Sequence, residues 1–275
     1  MQKCETIIQR YNTDYEAGAD ESINEKIFKS DNRLFPHYLL YCEGLPKPAC
    51  RGVLHLICSL ILPFGMWHLV RESNGTSLGA IAAVVYISSN MICYGFSALY
   101  HVGKWSIQNE ILLQKLDHCG IAILSAGTFF PASLLLLPTR TGLLFFLSTF
   151  SACLWTCHNI VNLRPSSLRQ ILVIGTLLPF MPFLSPIMNQ VEFWGTVFTI
   201  IFQAIGLTIF SKGKPDPWPL IFGHHEIFHV LVVMAGVCVY LINWSIIRRT
   251  CNPYAHETEI TEIIKKLFFP SITSS

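Results

Sequence analysis

Charged side chains are scarce in this sequence. Asp, Glu, Lys and Arg together make up 13% of the 275 residues, against 52% in the apolar set, whereas a soluble domain is roughly a quarter charged. That shortage excludes a disordered chain and an ordinary water-soluble domain, and it leaves the bilayer as the solvent. The basic residues are also dispersed: 19 Lys and Arg against 17 Asp and Glu give a net charge of +2 with no basic cluster, so no nucleic-acid partner is expected. Met1 to Tyr15 is polar and contains no apolar core, so a cleavable secretory signal is not expected. Five of the ten cysteines, Cys58, Cys93, Cys153, Cys157 and Cys238, lie inside apolar stretches. They read as small hydrophobes rather than as a disulfide framework.

What the chain does have is long apolar runs, and each crossing of a bilayer takes roughly 20 such residues. Runs over 52–70, 77–101, 116–138, 141–162, 168–188, 191–210 and 220–247 are separated by short polar breaks. The expected fold is an all-α membrane protein, a seven-transmembrane-helix bundle over 52–247, with an amino-terminal tail over 1–51 and a carboxyl-terminal tail over 248–275. The break between runs three and four rests on Pro138, Thr139, Arg140 and Thr141, and run five carries Pro179, Pro182 and Pro186, which bundles tolerate as kinks.

Orientation follows from Lys and Arg near the spans. One side has Arg33, Lys47, Arg51, Lys104, Lys115, Arg164, Arg169, Lys212 and Lys214; the other has Arg71, Arg140, Arg248 and Arg249. Nine against four places the amino terminus in the cytosol and the carboxyl tail on the far side. Two glycosylation sequons, at Asn74 and Asn243, read as chance matches, the first close to the membrane and the second inside run seven. In the carboxyl tail, Ile260, Ile263, Ile264 and Leu267 share one face of a short amphipathic pattern that would lie on a membrane surface.

Ionisable residues within spans are costly and face the bundle interior, so function is sought there first. Ser97 and His101 close run two, one helical turn apart; Asp117 opens run three; His225 and His229, again four apart, open run seven. In an alternating seven-helix bundle these positions fall on one side of the membrane, whichever way the bundle points. His101, Asp117, His225 and His229 are therefore expected to meet. Three imidazoles leave a fourth tetrahedral position for water, the pattern of a catalytic zinc site, with Asp117 as base or orienting group and Ser97 orienting by hydrogen bonding. His224 points about 100° away from His225. His55, His68 and His158 read as structural histidines, and Glu226 as a nearby charge.

At these residues the chain resembles the progestin and adipoQ receptor family and its hemolysin III-like relatives. Ser97 and His101 resemble that family's S-x-x-x-H, Leu116 to Ala122 its Asp-centred third-span motif, Ala126 to Pro131 the stretch that follows, and His225 to His229 its H-x-x-x-H. The resemblance runs in order from about Pro48 to Trp244. It implies a seven-helix bundle with a cytosolic amino terminus and an intramembrane Zn2+ bound by His101, His225 and His229, with Asp117 holding the water. It also implies kinship with alkaline ceramidases, hence hydrolysis of a ceramide or another acyl-lipid drawn from the membrane.

Two other functions compete with a lipid amide hydrolase. In a membrane receptor the zinc would be structural, closed by Asp117. In an H-E-x-x-H peptidase Glu226 would be the base, but the acids beyond the last span are Glu257, Glu259 and Glu262 in the tail, which leaves no later span to supply a further ligand.

Overall fold

The computed structural model describes residues 48–103, 105, 107–162, 175–218 and 221–252. Its helices are α1 (Val53–Glu72), α2 (Ser77–Val102), α3 (Ile107–Leu135), α4 (Thr139–Val161), α5 (Met181–Leu184), α6 (Gln190–Lys212) and α7 (His224–Cys251). Six of them, all but α5, are long and apolar enough to cross a membrane, and no β-strand occurs among the described residues. Five of the expected runs are thus matched to within four residues at each end. Run three begins at Ile107 rather than at 116 because the helix continues through the polar Asn109, Glu110, Gln114 and Lys115 beyond the apolar stretch.

The expected fifth run differs. Over Leu178–Ile187 it is a 3-10 turn, the four-residue α5 and a second 3-10 turn. Pro179, Pro182 and Pro186 remove amide donors at regular intervals, so a continuous hydrogen-bond ladder cannot form there. Residues 168–174 of that run lie outside the described residues, as do nearly all of both tails, including the amphipathic pattern from Ile260 to Leu267.

Two helix starts follow from local sequence. At α6, Asn189 accepts from the Glu192 amide while the Glu192 carboxylate accepts from the Asn189 amide, which satisfies two donors reciprocally. At α7, the Glu226 carboxylate reaches back to the Gly223 amide at 2.7 Å.

The bundle is arranged around α7, which packs on α1, α2, α3 and α6, while α4 packs on α3. Leu69, Ala82, Ala83, Tyr86, Ile87, Trp244 and Ile247 form the main apolar core between α1, α2 and α7. In a bilayer, helices associate through close packing of small residues rather than by expelling water. Gly120 and Gly127 provide this between α3 and α2: a Cβ on Gly120 would lie 2.9 Å from Cys93 Cα, and one on Gly127 would collide with Ser89. Gly127→Ala is therefore expected to destabilise the bundle by about 1–3 kcal/mol, with Ser89→Gly in the same chain restoring part of it. Thermal unfolding in detergent checks this. The outward faces are apolar, for example Leu60, Ile61, Phe64 and Trp67 on α1, as lipid contact requires. Asn243 is buried within α7, which removes its sequon as a glycan acceptor. All eight described cysteines are free thiols.

Candidate metal centre

The site is assembled from the end of α2, the interior of α3 and the first turns of α7. His101 lies one residue before the end of α2, and His225 and His229 lie one turn apart at the start of α7. One ligand atom from each of His101, His225 and His229 falls within 4.8 Å of the others, a group that could hold a metal ion. The ring centroids are separated by 4.8 Å for His101 and His225, 5.1 Å for His101 and His229, and 4.6 Å for His225 and His229. Three nitrogens bound tetrahedrally at roughly 2.0–2.1 Å from zinc would stand about 3.4 Å apart, so small side-chain rotations bring this trio to binding distance. His101 and His229 are buried and His225 is partly so. The donors fit zinc: three imidazoles and no thiolate.

Asp117 joins them, with Oδ2 3.8 Å from His101 Nε2. It sits ten residues into α3, so about 15 Å of that helix precedes it and the expectation that Asp117 opens the span is corrected. The reason is the register of α2 against α3, in which Gly120 faces Cys93 and the first turns of α3 run on past the end of α2. Ser97, one turn before His101 on α2, lies near the Asp117 carboxylate. All five residues expected at the site are therefore brought together.

The structure adds residues that the sequence reading placed elsewhere. His55, read there as a structural histidine of the first span, is buried at the start of α1. Its ring stacks on His229 at a centroid distance of 4.0 Å and 7° between planes, and its Nδ1 is hydrogen-bonded to Ser97 Oγ at 2.8 Å. Gly52 makes this approach feasible: its φ of 77° lies in the left-handed region, and a Cβ there would lie 2.6 Å from His101 Cβ. Only glycine suits both conditions.

Arg51 and Glu226 form an ion pair with both side chains buried, and the Cys50 amide donates to the Ile221 carbonyl at 3.0 Å. The segment ahead of α1 is thereby fastened to the start of α7, beside the histidines. Glu226 is engaged by Arg51 and by the Gly223 amide, which argues against its serving as the free base that an H-E-x-x-H peptidase needs. His68 and His158 lie apart from the trio: His68 hydrogen-bonds Tyr240 at 2.8 Å, and His158 pairs with Asn162 on α4.

A protein-family model described as haemolysin-III related matches residues 44–240, a segment that begins ahead of Arg51 and takes in every residue of this centre. With its apolar helices and that match over most of its length, the chain is a multi-pass integral membrane protein and belongs to the haemolysin-III related family.

Proposed function

We propose that this protein is a seven-span zinc enzyme that hydrolyses a lipid amide of the ceramide type, with its amino terminus in the cytosol and its metal centre near the cytosolic leaflet. The observation that carries the reading is the pairing of three convergent imidazoles with a carboxylate 3.8 Å from one of them, close enough to share a water with the site. A zinc ion held by His101, His225 and His229 would supply Lewis acidity toward an acyl oxygen and make a water more acidic. Asp117 would take a proton from that water, with Ser97 orienting its carboxylate.

The seventh crossing is supported by where the helices begin and end. Lys115, near the start of α3, donates to the carbonyl of Val161 at the end of α4, so α4 ends on the side of the metal centre. Glu192 at the start of α6 pairs with Arg249 at the end of α7, so α6 starts on the opposite side. That arrangement favours one more crossing between the end of α4 and the start of α6. The cytosolic amino terminus rests on the Lys and Arg asymmetry.

For the test, detergent-purified, zinc-loaded protein is incubated with a panel of ceramides and other acyl-lipids, and released fatty acid is measured by mass spectrometry. Asp117→Asn is expected to retain zinc while turnover falls roughly 10²- to 10⁴-fold. A folded, zinc-replete wild type that releases nothing across the panel would overturn the hydrolase and favour a receptor in which the metal is structural.

A further inference from the structure

We propose that His55 is a positioning residue through which α1 organises the metal centre. The proposal rests on the reading of His101, His225 and His229 as metal ligands. Three observations converge on this one side chain. Its ring lies flat against that of His229 at 4.0 Å, so it limits the tilt of the His229 imidazole. Its Nδ1 is 2.8 Å from Ser97 Oγ, and Ser97 lies beside the Asp117 carboxylate. Its Nε2 is buried and has no hydrogen-bond partner among the described residues.

The proton arrangement follows from donor and acceptor rules. An ionised Asp117 carboxylate can only accept, so a Ser97 hydroxyl turned toward it would donate and keep its lone pairs for His55. His55 must then carry its proton on Nδ1 and donate to Ser97, an assignment made from the network. That leaves Nε2 as the nitrogen with a free lone pair. A buried lone pair without a donor is costly, so Nε2 takes a hydrogen bond from an O–H or N–H of whatever occupies the centre. His55 thus links α1 to a ligand on α7 and to the hydroxyl-carboxylate pair of α2 and α3. Partners that orient metal ligands in this way commonly change affinity by roughly 10- to 100-fold when removed.

The test uses the full chain in detergent, loaded with Zn2+ for affinity and with Co2+ for its visible spectrum, which reports ligand geometry. His55→Phe keeps a flat ring against His229 but removes both nitrogens. It is expected to weaken Zn2+ binding roughly 10- to 100-fold and to alter the cobalt spectrum. His55→Asn carries an amide that can donate to Ser97 from the Nδ1 position and is expected to recover most of the affinity. Ser97→Ala, which leaves His55 in place, is expected to reproduce the cobalt change, and it carries the comparison if His55→Phe does not fold.

Wild-type affinity and an unchanged spectrum in folded His55→Phe, or in Ser97→Ala, would overturn the positioning role while leaving the three-histidine site standing. A folded wild type that binds neither metal would overturn the site and this role together.

Discussion

His229→Ala is expected to lower bound zinc from about one ion per chain to less than about a tenth, measured by mass spectrometry on detergent-purified protein. Binding at zinc sites built from protein side chains is worth on the order of 10 kcal/mol or more, and with three donors the loss of one removes a large share of it. His229 is flanked by His101, His225 and the stacked His55, so its truncation also releases the ring that His55 packs against. His101→Ala and His225→Ala are expected to have the same outcome. His68→Ala and His158→Ala, whose partners are Tyr240 and Asn162, should keep the metal. A folded His229→Ala protein that retains a full complement of zinc would overturn the ligand assignment.

Arg51→Met is expected to be the most destabilising single change outside the apolar core. It leaves the Glu226 carboxylate buried without its cation, a loss of roughly 3–5 kcal/mol for broken buried pairs. At about 2–4 °C per kcal/mol for a chain of this size, the apparent Tm in detergent should fall by roughly 6–20 °C. Arg51→Met combined with Glu226→Gln removes both charges, and should recover much of the loss because no uncompensated ion remains. A double variant no more stable than the single one would mean that Arg51 acts through contacts other than the Glu226 carboxylate.

Much of this centre was legible in the sequence. Turn spacing paired Ser97 with His101 and His225 with His229, and the alternation of spans put both pairs and Asp117 on one side of the membrane, where the structure places them together. His55 has no partner four residues away, so periodicity gave no sign of it. Depth would have done so: the start of the first span lies on the same side as the end of the second and the start of the seventh, and His55 is the imidazole found there. The Arg51 and Glu226 pair spans 175 residues of sequence, and no local pattern announces a contact of that range. The extent of α3 was missed for a different reason. Hydropathy marks where a helix enters lipid, while hydrogen bonding decides where it ends, and the polar first turns of α3 satisfy the second condition without the first.

The two charge clusters on α7 also bear on mechanics. Near its start, Glu226 is tied to Arg51; near its end, Arg249 donates twice to the fully buried Glu192, which also accepts from Ser245. Glu226 and Arg249 are 23 residues apart on one helix, about 35 Å, slightly more than the hydrocarbon thickness of a typical bilayer. The helix is keyed at both ends like a shaft in two bearings. Sliding it by one turn, about 5.4 Å, would break an ion pair at each end at once, so axial piston motion of α7 is expensive. Movement that spares these pairs must come from helices leaning around α7, and a bilayer of different thickness must adapt its lipids to this fixed span rather than stretch it.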